Sequence, residues 1–407
     1  MFKMAFRNIF RQKRRSLLTA LTMLGGYILG AIGIGFVDGT YNSIVDTFTR
    51  SRLGHIQIHA RGYLDRPTLN KVIRDYREVG RIVEGDPEAE AWAPRVYSAG
   101  LASVGERTDA ARIIGIDPAR EAVATHFDKR ITEGRSFSAG ASKEIILGKG
   151  LAQDLKASLG DEVVLVSQAA DGSLANDVYR LVGLADTGDM ASDRTKMYLH
   201  IDDAREFLVL DDAAHEIVVI ARSLKSVLAL NSSLRGRLGA FPVDVLPWQE
   251  FAKSFYNAMQ ADSEGHEVML LILFIIVAIG VLNTALMSVL ERRREYGVLK
   301  ALGTRPKQVF RLVILEILLL AAMSIVLGAG FGLGINSYIA QHQIDITGLT
   351  SKPLTYGGMD FTTFTSEVNL RSFVIPALTV FISAFLVSLM PALKAARTEP
   401  ARSIRIF

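Results

Sequence analysis

A chain of 407 residues with a mean hydropathy of +0.26, 49% hydrophobic and 22% charged residues is too apolar to be wholly water-soluble and too charged to be wholly buried in lipid. It reads as an apolar minority joined to a larger soluble part. The net charge of +4 is small, and much of the excess lies beside apolar runs, which points to membrane orientation and headgroup contact and away from nucleic acid. With no cysteine, the chain has no disulfide, thiolate zinc site, cysteine nucleophile or cysteine acylation site. Residues 1–15 carry Lys3, Arg7, Arg11, Lys13, Arg14 and Arg15 and no acid, and Ser16–Val37 carries no charge. About twenty residues at ~1.5 Å each span roughly 30 Å, one hydrocarbon thickness. A cleaved signal peptide has the same order of basic then apolar residues. This run is longer than the usual signal core, though, and Gly25, Gly26, Gly30, Gly33 and Gly35 suit close helix contact, so a retained helix is expected.

From Asp38 to Glu267 the chain is polar enough to be soluble. Ile44, Val45 and Phe48 fall at helical spacing, as in an amphipathic stalk continuing the first apolar helix. His55–His59 alternates like a strand, with Ile56 and Ile58 on one face and the two histidines on the other; an exposed face is expected, since no carboxylate in the segment completes a metal site. Further strands are expected at Ala111–Ile116, Glu144–Leu147, Glu162–Val166, Tyr179–Val182, Met197–Ile201 and Glu216–Ile220, and helices at Gly150–Ser158, Asp202–Leu210 and Leu224–Leu238. That mixture reads as α+β. In Trp248–Asp262, Phe251, Phe255 and Met259 repeat at four and are expected to form the outer half of a helix continuing into Val268–Leu290, the alternative being a docking helix of the soluble domain.

The apolar segments 268–290, 309–335 and 372–393 complete four expected crossings with 16–37. Residues 291–308 between the second and third carry six basic side chains, Arg292, Arg293, Arg294, Lys300, Arg305 and Lys307. Residues 394–407 carry Lys394, Arg397, Arg402 and Arg405 against Glu399 alone, whereas Gln341–Arg371, within the loop 336–371, has three acids against two bases. The positive-inside bias therefore puts both termini and 291–308 in the cytoplasm, and residues 38–267 and 336–371 outside. Within 291–308, Tyr296, Val298, Leu299, Ala301 and Leu302 make an apolar set on a short helix, Gly303 is a plausible stop, and Pro306 can open the next helix. Such a helix is a docking surface for a cytosolic protein; the alternative is a solvated turn whose charges only set orientation.

Several chemistries are missing. His266-Glu267 begins an H-E-x-x-H pattern, but Leu270 stands where the second histidine belongs. There is no G-x-S-x-G elbow and no P-loop, and Gly328, Gly330, Gly332 and Gly334 have small-xxx-small rather than nucleotide-binding spacing. Asn283 and Glu316 are the polar exceptions within the expected spans; for Glu316, an ion relay competes with simple contact to polar groups at the inner interface.

The segment after the second span resembles the coupling segment of the FtsX/MacB-like permeases of type VII ABC transporters, with Glu291, Glu295, Tyr296, Gly297, Val298, Leu299, Lys300, Ala301, Leu302 and Gly303 filling the pattern. Arg7-Asn8-Ile9 with Arg11, Arg15 and Ser16 is similar to the family's approach to its first helix, and Pro391-Ala392, Ala395-Ala396, Arg397, Pro400 and Arg405 to its usual ending. Gly54–Tyr63, Ile113–Glu121, Leu147–Leu165 and Asp186–Leu199 resemble the lipoprotein-releasing (Lol) branch. The resemblance implies an α-helical membrane domain of four transmembrane helices, with a large α+β extracytoplasmic domain, a MacB-like periplasmic core, inserted between the first and second helices. It further implies a multi-pass protein of the bacterial inner membrane that holds no cofactor, with ATP and Mg on a dimer of cytosolic ABC ATPases. MacB proper carries a fused ATPase ahead of its permease, so here a separate ATPase chain is expected.

The implied partners are a second permease copy or relative, membrane lipids, a lipoprotein or other lipidic substrate, and a periplasmic carrier. Glu291, Glu295, Tyr296, Gly297, Leu299, Lys300, Leu302 and Gly303 are implied in ATPase coupling, and Phe36, Ile44, Phe48, Phe255 and Met259 in flanking the lipid. MacB-like efflux of amphipathic molecules and FtsX-like signalling to a cell-wall hydrolase remain open alternatives. The topology is testable: protease added outside sealed spheroplasts should leave the chain around Lys300 intact, and cleavage there from outside would reverse the orientation.

Overall fold

The structure, a computed structural model, describes residues 2–11, 13–138, 140–345, 354–356, 359–361 and 363–399. Pro400, Arg402 and Arg405, and residues 346–353, 357–358 and 362 of the loop expected over 341–371, lie outside them. In chain order, α1 (Phe2–Arg11) and α2 (Lys13–Phe48) lead through a π-helical turn, Thr49–Leu53, to β1 (Ile56–Ala60), α3 (Tyr76–Glu84), β2 (Ala89–Val104), β3 (Arg107–Ile116) and α4 (Pro118–Ala124). Next come β4 (Ile131–Gly134), β5 (Glu144–Gly148), α5 (Lys149–Leu155), β6 (Glu162–Gln168), β7 (Leu174–Ala185), α6 (Met190–Asp193), β8 (Lys196–His200), α7 (Ile201–Phe207) and β9 (Glu216–Ala221). Then follow α8 (Val227–Arg237), β10 (Val243–Pro247), α9 (Trp248–Phe251), α10 (Lys253–Glu291), α11 (Arg293–Ala301), α12 (Pro306–Gln341), four strands of two or three residues, and α13 (Leu370–Ala396). Two compact units divide at Tyr41/Asn42 and at Ala258/Met259.

The α+β unit is built on a ten-stranded sheet in the order β10-β1-β9-β2-β3-β8-β5-β7-β4, with β6 pairing β2 and β7. Most ladders are antiparallel; β3 with β8 and β5 with β7 are parallel. On one face Val96, Ile113, Ile145, Leu147 and Leu199 pack beneath Leu151 and Leu155 of α5 and Ala204 and Phe207 of α7. Each large side chain buried this way contributes about 1.5–3 kcal/mol, so this layer is the unit's main core. The opposite face joins Ile114, Ile116, Ile146 and Tyr198 to Phe127.

The six strands expected after β1 correspond to β3 and β5–β9, with Ile201 beyond the end of β8, and the three expected helices overlap α5, α7 and α8 but run past their ends. The sequence reading missed β2, the 16-residue strand at the centre of the sheet. Its alanines, Pro94 and Gly100 have weak strand propensity, and tertiary pairing overrides that preference. β2 first pairs β9, then turns its second half to β6, and at Gly100 an added Cβ would lie 2.5 Å from the carbonyl oxygen of Val166.

Two further expectations change. β1 lies between β9 and β10 with both its edges paired, and both its faces are also covered, so His55 and His59 are buried rather than exposed. His59 Nδ1 meets the His215 carbonyl at 3.1 Å and Nε2 the Gln57 side-chain oxygen at 3.1 Å. The helix expected to begin at Trp248 breaks at Ala252, whose φ of −105° and ψ of 43° leave helical geometry; Phe251 therefore belongs to the short α9, and Phe255 and Met259 to α10.

In the second unit, four helices among the described residues are long and apolar enough to cross a membrane: Ser16–Leu53 (α2 and the π-helical turn), α10, α12 and α13. α2, α10 and α12 have 36, 39 and 36 residues, roughly 55 Å at 1.5 Å per residue and well beyond one hydrocarbon thickness. Small residues set their approach. An added Cβ at Gly328 of α12 would fall 2.5 Å from the Tyr27 ring of α2, and one at Gly26 of α2 would fall 2.7 Å from Val277 of α10. Buried polar groups also cross between helices: Ser324 Oγ donates to the Ala20 carbonyl at 3.0 Å and Asn336 Nδ2 to the Ala31 carbonyl at 3.0 Å.

A single methyl tests the packing of the sheet unit. A Cβ at Gly80 of α3 would sit 2.0 Å from Trp92 Cζ2, on a ring held by its 2.8 Å Nε1 bond to Glu84 and by the Arg120 guanidinium 3.8 Å from its centre. Gly80→Ala should therefore cost about 1–3 kcal/mol through overpacking. Thermal unfolding of the full-length protein in detergent, followed by tryptophan fluorescence, should show a lower midpoint.

Candidate functional site: the short helix between the second and third spans

α10 ends at Glu291, and Arg292, with φ −90° and ψ 10°, turns the chain into α11. α11 stops where Gly303 takes φ +92°, a left-handed conformation that favours glycine, and the Thr304 amide donates to the Leu299 carbonyl at 3.1 Å. α12 then starts at Pro306, where the missing N–H costs no helical hydrogen bond, and the Gln308 side chain accepts from the Arg305 amide at 2.9 Å.

Three anchors hold α11. The Arg292 guanidinium is buried, donating through Nε to Glu295 at 2.9 Å and through Nη1 to both carboxylate oxygens of Glu316 at 2.9 and 2.8 Å. Glu316 is on α12 with its side chain 12% exposed, and the Arg292 guanidinium also lies 5.2 Å from the centre of the Tyr296 ring. Tyr296 is the second anchor, fully buried in a cluster that includes Val289, Val309, Val313, Ala392 and Ala395. Lys300 is the third: its Nζ donates to the carbonyls of Ala396 at 2.9 Å and Thr398 at 2.7 Å, placing a cation on the orphan carbonyls at the end of α13.

The anchors divide the residues named from sequence into two sets. Tyr296, Gly297, Leu299 and Lys300 turn inward, Glu295 supports Arg292, and Gly303 ends the helix. Leu302, 80% exposed, and Val298, 43% exposed, point outward with Arg293, Arg294 and Ala301; Glu291 is exposed at the end of α10. The outward surface is thus apolar at its centre with cations beside it. Sequence reasoning set an ion relay against contact with polar groups of the inner interface for Glu316 and missed the role of Arg292. The usable signal was the need of a membrane carboxylate for a close counter-charge.

The other named residues are dispersed. Asn283 is exposed on α10 and has no hydrogen-bond partner among the described residues. Phe36 is half-buried, its ring 5.1 Å from that of Phe364. Ile44, Phe48, Phe255 and Met259 are buried, with Phe48 and Phe255 stacked 3.8 Å between centroids.

Known proteins resemble this chain along most of its length. The model of the MacB-like periplasmic core domain matches residues 16–237, and that of the FtsX-like permease C-terminal region matches residues 267–400. The lipoprotein-releasing system transmembrane protein LolC of Neisseria meningitidis is 23% identical over 404 residues, covering 97% of this chain and 96% of its own. The ABC transporter permease YtrF of Bacillus subtilis is 24% identical over 453 residues, covering 98% and 97%. Among solved structures, the periplasmic region of MacB from Actinobacillus actinomycetemcomitans aligns with a TM-score of 0.37 at 14% identity, over 50% of this chain and 92% of that one. Four membrane-length helices and an anchored helix between the second and third define a multi-pass ABC-transporter permease, a transport subunit rather than an enzyme. The chain belongs to the FtsX/MacB-like permease family.

The Arg292–Glu316 pair is testable as a unit. Glu316→Leu should destabilise the membrane unit by about 3–5 kcal/mol by stranding a buried guanidinium, and adding Arg292→Met should recover most of that loss. Thermal melting of both variants in detergent reads the difference.

Proposed function

We propose that this permease converts ATP hydrolysis on a pair of cytosolic ABC ATPases into extracytoplasmic motion that releases lipoproteins from the inner membrane. The observation that carries the reading is α11: a short helix anchored at its start, middle and end, yet offering Val298 and Leu302 outward. A helix that passes on a push needs firm attachment to the spans and an apolar face for the partner to grip. Arg292 ties it to α12 and Lys300 ties it to the end of α13, so a load on Leu302 reaches both helices. ATP and Mg are held by the partner, in keeping with a sequence that has no P-loop.

In this reading the termini and α11 are cytoplasmic and the α+β domain is inserted, outside the membrane, between the first and second spans. α2 and α10 are the covalent routes to it, each an unbroken helix, Lys13–Phe48 and Lys253–Glu291. A second permease, a copy or a relative, completes the assembly; the exposed Asn283 amide supports this, because a partner helix gives it the hydrogen bonds that lipid does not.

The lipidic cargo rests on the resemblance to the lipoprotein-releasing branch and on the aromatic and aliphatic side chains Phe36, Ile44, Phe48, Phe255 and Met259. Phe48 and Phe255 stack on each other here, so an acyl chain entering between them replaces one apolar contact with another. Each methylene drawn from the bilayer costs about 0.8 kcal/mol on exposure to water, which is why extracting several chains for a periplasmic carrier requires coupled hydrolysis. Efflux of amphipathic molecules is the second reading, favoured by 32% identity over 126 residues to the macrolide export protein MacB of Azoarcus.

Leu302→Arg should leave membrane insertion and melting unchanged but abolish ATPase co-purification or cut cargo-stimulated hydrolysis at least tenfold. A fully stimulated ATPase bound to this variant would remove the docking role. Proteoliposomes of the wild-type complex, loaded with a triacylated lipoprotein or with an amphipathic drug, separate the two cargo classes by which one leaves in an ATP-dependent manner.

A further inference from the structure

The α+β unit contains a small, partly open pocket that transport does not explain. On the face of the sheet bearing Ile114 and Tyr198, Arg112 of β3 and Lys196 of β8 are direct register partners, so their side chains leave the same face side by side. Above them close the π-helical turn with Arg52, the segment after α4 with Arg130, and the turn with Thr187 and Ser192. Together they line a partly open cavity of about 100 Å³.

Five cations line this cavity, with Glu121 the only lining carboxylate. Two of the cations are neutralised. Arg52 pairs with Asp189 at 2.8 Å, and Arg95 is held by Glu121 at 2.5 and 3.0 Å, with Glu216 at 3.5 Å and the Arg52 carbonyl at 2.5 Å. The other three have no carboxylate within ion-pair distance among the described residues. Arg112 is exposed and lies over the Tyr97 ring at 4.9 Å, and the half-buried Arg130 and the buried Lys196 make no side-chain hydrogen bond among the described residues. Lys196 is only 8% exposed. The nearby Asp193 is already engaged by Thr187, through its amide at 2.7 Å and its hydroxyl at 2.6 Å. The Tyr198 hydroxyl also lacks a hydrogen-bond partner among the described residues and lines the same space.

We infer that this cavity binds a phosphoryl group, with Lys196, Arg112 and Arg130 supplying the charge and Tyr198 a neutral donor. A buried ammonium without a direct ion pair is unfavourable; Asp189 and Asp193 act on Lys196 through space but are engaged by Arg52 and Thr187, and a site that also gathers Arg112 and Arg130 favours a multiply charged oxyanion over a single carboxylate. The volume suits an ion of phosphate size or the phosphate of a lipid headgroup and excludes a folded peptide. Burial and the neighbouring Arg52 push the Lys196 ammonium down to about 8, the strain that a bound anion would relieve.

This inference is independent of cargo and of the ATPase, and its assay needs neither. The full-length permease, purified in a zwitterionic detergent, is titrated at constant ionic strength with inorganic phosphate and, separately, with dihexanoylphosphatidylglycerol, by calorimetry and thermal melting. Wild type should bind one of the two saturably with a Kd of about 1 mM or tighter and melt at a higher temperature when it is present. Lys196→Met should weaken binding at least tenfold and lose the ligand-induced shift, while melting without ligand no lower than wild type; Lys196→Arg should keep both. Stronger binding of phosphate identifies the free ion, and stronger binding of the lipid that is lost in Lys196→Met identifies the headgroup. If Lys196→Met fails to fold, Arg130→Gln carries the same test. Absence of saturable binding to either probe, or binding by a folded Lys196→Met or Arg130→Gln variant equal to wild type, overturns the assignment.

Discussion

A carboxylate on a membrane-spanning helix stays charged only where a cation is brought to it and held. Glu316 is such a carboxylate, and the chain meets its demand with Arg292, the residue at which the second span gives way to the short helix before the third. One ion pair therefore does three things at once. It neutralises a membrane charge, fixes where α11 begins, and makes α11 part of the wall formed with α12. The buried Tyr296 and the Lys300 ammonium on the last carbonyls of α13 extend that attachment along the helix. With its inward face committed, α11 is left with Val298 and Leu302 as an apolar outer surface.

The soluble unit depends on a different constraint, the need to satisfy polar groups on a sheet covered on both faces. Arg95 of the central strand illustrates it. Its guanidinium binds Glu121 of α4, reaches Glu216 of β9 and donates to the carbonyl of Arg52, so one side chain joins helix, sheet and the segment that follows α2. Tyr97, two residues along the same strand, donates to Glu216 at 2.7 Å and carries Arg112 above its ring. The neighbouring cluster of Arg112, Arg130 and Lys196 stands out because it has the same types of donor without the matching carboxylates. One network is closed among protein groups, and the other has charge to spare for a ligand.

Family membership and these local geometries are complementary. The matched regions identify a permease of the FtsX/MacB type, and the anchored α11 is the element on which the proposed coupling rests. The relatives of near-equal length are only about one quarter identical or less, so cargo is carried by inference rather than by likeness.

Much of this was legible from local chemistry. Uncharged runs bounded by clustered lysine and arginine specify membrane helices wherever they fold, because lipid rejects charge and unpaired backbone alike. The strands at Ala111–Ile116 and Glu216–Ile220 were visible because β-branched residues dominate them, and Gly303 and Pro306 marked helix boundaries through backbone conformations that few other residues adopt. Tertiary structure decided what depends on partners distant in sequence: the alanine-rich β2 at the middle of the sheet, the burial of His55 and His59, and Arg292 as the counter-charge to Glu316. The physical reason is the same in each case. Propensity and charge bias act along a few residues of chain, whereas burial and ion pairing are set by whatever the fold brings alongside, and no local pattern encodes that neighbour.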